Sequence, residues 1–137
     1  MSLHALTQHL IDAGGSPDAG ELAHFFAPGV YVRRLDMPAG LTGVSKVHAR
    51  EHIVIVARGK LALRCESDEQ GRTVCAGDVW VSQPGDPRAW HALEDATIIT
   101  VHHNVGDGRD LELIEKQHIA GDGLTAPQRE ALTACRG

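Results

Sequence analysis

The chain has 137 residues, 42% hydrophobic and 23% charged, which is enough for one domain around a single core and too short for two ordinary ones. A net charge of -5, with the acids scattered, leaves no basic stripe of the kind that a reader of nucleic-acid phosphates needs. No apolar run reaches membrane-span length, and the opening L-H-A-L-T-Q-H-L-I-D lacks the cationic start and apolar run of a signal peptide, so a cytoplasmic protein without a membrane partner is expected.

In chain order, Leu3, Leu6, Leu10 and Ile11 share one helical face that closes at Gly14-Gly15. Asp18 and Glu21 match a capping box and predict a second short helix through D-A-G-E-L-A-H-F-F, ended by Pro28-Gly29. From Val30 the character changes. V-Y-V-R-R-L-D-M, S-K-V-H-A-R-E-H-I-V-I-V-A-R, K-L-A-L-R-C-E-S, R-T-V-C, D-V-W-V-S, A-W-H-A-L and A-T-I-I-T-V-H-H follow one another, separated by Gly, Pro and Asp turns such as D-E-Q-G. Short strands at this spacing predict an all-β sandwich or barrel. After Asn104, R-D-L-E-L-I-E-K-Q-H-I-A is amphipathic, and T-A-P-Q-R-E-A-L-T-A-C begins with Thr125 as helix cap. The expected organisation is one domain: a helical segment over 1–29, a β-barrel over 30–104 and a helical segment over 105–137.

Cys65, Cys75 and Cys135 form no C-x-x-C pair and read as reduced thiols, with Cys65 and Cys75 facing one another across a hairpin. The nine histidines say more through their placement. His48-Ala49-Arg50-Glu51-His52 matches H-x-x-E-H, a zinc-peptidase helix signature, but it runs into Ile53-Val54-Ile55-Val56. That β-branched run is stiff at χ1 and favours a strand. On a strand Lys46, His48, Arg50 and His52 share one face, which continues as Val54 and Val56 toward the barrel interior. Ile53 and Ile55 make the opposite face apolar too, so a helix or a partner subunit is expected to cover it.

The stretch Gly43 to Gly59 resembles the first motif of the cupin superfamily, G-x-x-x-x-x-H-x-H-x-x-x-E-x-x-x-x-x-x-G. The second motif histidine falls on His48 and the glutamate position on His52, while Lys46 stands in the first histidine position. A looser second motif runs from Gly77, with its proline near Pro84 and its histidine on His91. The residues F-A-P-G-V-Y-V-R, S-K-V-H-A-R-E-H, P-G-D-P-R and Val101-His102 are similar to small single-domain cupins of phage and prophage genomes. This resemblance implies a double-stranded β-helix (jelly-roll barrel) with short α-helices at both termini. It also implies that His48 and His52 meet a third ligand, either His91 or His102, in the barrel.

Neutral imidazoles without thiolates suit Fe, Zn, Ni or Cu rather than Mg or Ca. Lys46 and Arg88 are the expected holders of an anionic small-molecule ligand, Arg88 by a bidentate fork. Trp80 and Trp90 are expected in core or rim packing, Glu51 outside, and His4, His9, His24 and His118 on the terminal helices. The function expected is small-molecule chemistry at a histidine-held divalent metal, with a three-histidine oxygenase or isomerase as the nearest analogy. The alternative is a non-catalytic binder of a small acid or sugar, or a phage-associated accessory protein. A homodimer is expected from the two-faced apolar strand.

Overall fold

Two antiparallel sheets face each other around one core. The structure, a computed structural model, describes residues 3–12, 20–45, 47–65, 68–85 and 88–121. After a helix α1 (Leu3–Asp12) come strands β1 (Glu21–Ala27), β2 (Val30–Met37), β3 (Thr42–Val44), β4 (Val47–His48), β5 (His52–Arg58), β6 (Lys60–Cys65), β7 (Asp68–Cys75), β8 (Val79–Ser82), β9 (Arg88–Ala92) and β10 (Ala96–His103). A helix α2 (Leu111–His118) and a strand β11 (Ile119–Gly121) follow. One sheet has the order β1-β2-β10-β5-β8, the other β3-β9-β6-β7, and β11 pairs with β4 at the end of the barrel.

The core lies where the inner faces meet. Met37, Val54, Val56 and Ile98 come from the first sheet, and Leu61, Leu63, Val74, Trp90 and Ala92 from the second. Period-two alternation puts each of these on the inner side of its strand. Trp80 packs on the same cluster, its ring 6.4 Å from that of Trp90. Outside the second sheet, Leu6 of α1 covers Val44 and Ala89, so the amphipathic first helix caps the barrel.

Three expectations change. D-A-G-E-L-A-H-F-F is no helix: from Glu21 it is a strand, joined to β2 through a turn at Pro28-Gly29 where Gly29 has φ +74°. The pairing of all seven residues with β2 outweighs a local capping signal, so the barrel begins at residue 21, not 30. The long histidine strand is broken by bends at Ala49 and Arg50 into β4 and β5, which join different sheets. The D-E-Q-G stretch is strand rather than turn. Lys60 pairs with Cys75 and Cys65 with Asp68, so Cys65 and Cys75 sit at opposite ends of that hairpin. The helix expected at Thr125, Cys135 and the placement of Lys46 lie outside the described residues.

Candidate functional site

Sheet register assembles the site. Phe26 pairs with Tyr31, Tyr31 with His102, and His52 with Ser82. Because Val101 pairs with Ile53, His102 and His52 are the next residues inward and complete a row across all five strands. The ring centroids confirm it: His52 and His102 are 4.7 Å apart, and Tyr31 and His102 are 5.7 Å apart. His48 reaches the same point from β4, 4.2 Å from His52 and 5.8 Å from His102. All three imidazoles are buried. His102 Nε2 is hydrogen-bonded to Thr100 Oγ1 at 2.9 Å, and the Gly85 N–H donates to the His48 carbonyl at 2.9 Å, tying the P-G turn to β4.

Arg88 is buried beside them. Its guanidinium donates to Ser82 Oγ, its backbone N–H donates to Ser45 Oγ at 3.1 Å, and its carbonyl accepts from the Ser45 N–H at 2.7 Å. A cavity of about 200 Å³ opens among His48, His52, Arg88 and Thr100, with Leu35, Met37, Trp90 and Ile98 as its apolar walls.

His91 does not join this group. Arg88, Trp90 and Ala92 are the inward residues of β9, so alternation turns His91 outward, where its Nδ1 is hydrogen-bonded to Thr42 Oγ1 at 2.7 Å. Of the two candidates for a third imidazole, the fold brings in His102. Glu51 is exposed, in keeping with its outward register, and His24 lies on a strand, not on a terminal helix.

Arg33 was missed by the sequence reading. Tyr31, Arg33, Leu35 and Met37 form the inner face of β2, and Arg33 lines the cavity in register with Thr100. The signal was alternation itself, but in Arg33-Arg34 either residue could have been the inward one. Arg33 also pairs with His24, whose Nδ1 lies 2.6 Å from the Tyr31 hydroxyl. Burial first, and the Arg33 charge second, hold the His24 pKa below the ordinary imidazole value. The unfolded chain takes up this proton near pH 6.5 while the folded protein resists it, so the stability this group contributes falls as pH drops below about 6.5. A proton NMR titration is expected to find His24 below the ordinary value and to show a partial rise in Arg33→Gln. An ordinary value in the unsubstituted protein would contradict this.

The donor set suits one divalent cation. With each nitrogen about 2.0–2.1 Å from the ion, three rings would stand with centroids roughly 4.5–5.2 Å apart, and the observed spacings bracket that range. Ring orientation is the difference. The planes lie within 18–40° of one another, closer to stacking than to radiating from a centre, and among the described residues no three donors yet converge. Seating an ion requires turning rings about χ2, a soft torsion for histidine.

No family model matches the chain, and no curated protein matches it. Solved structures do. KdgF from Halomonas sp. is 19% identical, with 67% of this chain covering 80% of that one at a TM-score of 0.52. An RmlC-like cupin with a double-stranded β-helix from Methanocaldococcus jannaschii is 13% identical, with 63% covering 83% at 0.51. This is the cupin fold. The cupin domain of an XRE-family transcriptional regulator from Enterobacter cloacae is similar as well, 16% identical, with 64% covering 98% at 0.53. Identities this low establish the double-stranded β-helix and nothing about activity. No helix among the described residues is long and apolar enough to cross a membrane.

Proposed function

We propose that this cupin barrel binds a small molecule in the cavity beside His48, His52 and His102, and that these imidazoles hold a divalent transition metal there. The observation that carries the reading is the meeting of three buried imidazoles from β4, β5 and β10, two of which, His48 and His52, line the cavity. A metal so held supplies Lewis-acid chemistry, polarising a substrate oxygen, with positions left open for water or substrate. The chain's own residues bind and orient: Arg88 offers its fork to an anionic group, Lys46 is proposed to assist, and Trp90 with Ile98 excludes water. The oxygenase or isomerase analogy and a cytoplasmic setting belong to this proposal.

Metal analysis of untagged protein tests it. Stoichiometric Fe, Zn, Ni or Cu is expected, and is expected to be lost in His48→Ala/His52→Ala with the β-sheet circular dichroism retained. Metal-free protein whose thermal stability is unchanged by that double substitution would sink the reading. The stacked orientation of the rings favours a second reading, a metal-independent binder of a small acid or sugar, phage-associated or otherwise. Ligand binding that survives chelation would identify it.

We further propose that the protein works as a homodimer through the outer face of the five-stranded sheet. There Phe25, Val32, Val101, Ile53 and Val81 form an apolar row, each in register with the next. Phe25, Ile53, Val81 and the neighbouring Val79 are 41–60% exposed. Five strands about 4.8 Å apart and about seven residues long give a face on the order of 550 Å². Two copies would bury on the order of 1,100 Å², which clears the roughly 1,000 Å² expected of a specific interface. The occupant this face fits is a second copy of the chain.

A further inference from the structure

The fold treats the two adjacent arginines of β2 differently. Arg34 is on the outer side and forms an ion pair with Asp36 at 3.3 Å. Arg33 is on the inner side and lines the cavity, where among the described residues no carboxylate pairs with it or lines the walls. Its neighbours in the sheet on that face are His24 of β1 and Thr100 of β10, neither of them an acid. Burial and the Arg33 charge hold the His24 pKa below its ordinary value, so His24 stays neutral at pH 7. The cavity is open to solvent on this side. Leu22 of the edge strand β1 is 42% exposed and Arg33 is half-buried, whereas Met37, His52 and Arg88 are buried. A molecule entering there meets Arg33 ahead of the buried imidazoles.

A guanidinium half out of water on an apolar wall favours an anion that matches its fork and brings apolar surface of its own. Beyond Arg33 and Thr100, the inner faces of β2 and β10 continue as Leu35, Met37 and Ile98, all of them cavity walls. The cavity volume of about 200 Å³ lies below the roughly 300–1,000 Å³ of sites for drug-sized ligands, which restricts the ligand body to a few carbons. We propose that Arg33 selects the ligand by charge, and that the cavity takes a short-chain carboxylate, its carboxylate on the Arg33 fork and its carbons along Leu35, Met37 and Ile98. This rests on the cavity being the ligand site proposed above. It needs no metal there and no contact with Arg88.

Calorimetric titration with butyrate, 1-butanol, butylammonium and inorganic phosphate tests the assignment. Butyrate is expected to bind at least about tenfold more tightly than butanol, which lacks the charge, or phosphate, which lacks the carbons. Butylammonium is expected to bind least. Arg33→Gln is expected to weaken butyrate roughly 10–100-fold, as for a lost charged hydrogen-bond pair, and to bring it level with butanol. Arg33→Lys, which keeps the charge without the fork, should fall between them, with circular dichroism confirming the fold of each variant. Butanol or phosphate equal to butyrate, or a folded Arg33→Gln that prefers butyrate as before, would overturn this inference and leave a ligand cavity standing. No heat from any of the four at millimolar concentration would overturn it together with the ligand-site reading. Protein that never carries metal but still needs Arg33 for butyrate would refute the metal reading alone and uphold this one.

Discussion

Gly59→Ala is expected to lower folding stability by about 3 kcal/mol or more, the largest loss expected from adding a methyl group at any of the described glycines. Gly59 alone separates β5 from β6, so at this residue the chain crosses from the five-stranded sheet to the four-stranded one. Its φ of +80° is strained for any residue with a Cβ, at about 1 kcal/mol. The added Cβ would also stand 2.1 Å from the Asp95 carbonyl oxygen and 2.8 Å from Ala96 Cα. Both are backbone atoms, in the turn that leads into β10, and neither can swing aside as a side chain would. Overpacking of this kind costs roughly 1–3 kcal/mol. Against a total of about 7–20 kcal/mol for a chain of this size, the midpoint of thermal unfolding should drop by on the order of 10 °C. Gly40→Ala is the control. Gly40 has φ +88° with open space around its Cβ position, so it should lose only about 1 kcal/mol. Equal losses at the two positions would show that the close approach at Asp95 carries no weight.

That corner also shows what a sequence can disclose about a barrel. The strands of the core were legible because each is a short alternating run between turn residues, and Val54 and Val56 were correctly aimed inward by period alone. What stayed hidden depends on pairing. Nothing local to Glu21–Ala27 says that a β2 edge is waiting, so a capping box read as a helix start where a hairpin forms. In Trp90-His91 and Arg33-Arg34, alternation requires one residue in and one out without saying which. The sheet settled both, seating Trp90 in the core and Arg33 at the cavity. His48 and His52 were joined in sequence as one strand, but they meet in space because the chain bends between them and β4 joins a different sheet. Their proximity was foreseen from a resemblance, and its mechanism was not.

If the proposed dimer forms through this face, Ile53→Lys/Val81→Lys is expected to convert it to a monomer without unfolding the barrel. The two residues are paired across β5 and β8, and both project outward, 41% and 53% exposed, so neither substitution disturbs the core. In a two-fold interface each lysine occurs twice, which places four ammonium groups where apolar surface should meet its own copy. Burying unpaired charge is far more costly than the few kcal/mol that the half-exposed valine and isoleucine contribute by burial. The dissociation constant should rise by roughly 100-fold or more, about 2.7 kcal/mol, enough to abolish the dimer at micromolar concentration. Light scattering and sedimentation velocity give the readout, with circular dichroism as the check on the fold. A monomeric unsubstituted protein would remove the homodimer altogether. A dimer that survives both lysines would move the interface off this face, and the apolar row from Phe25 to Val81 would then have to meet a different partner. The site itself makes the same point from inside the sheet. His52 and Ile53 are neighbours on one strand, one turned to the cavity and one to the outer face, so a second copy seated on Ile53 would hold the strand that carries His52 in place.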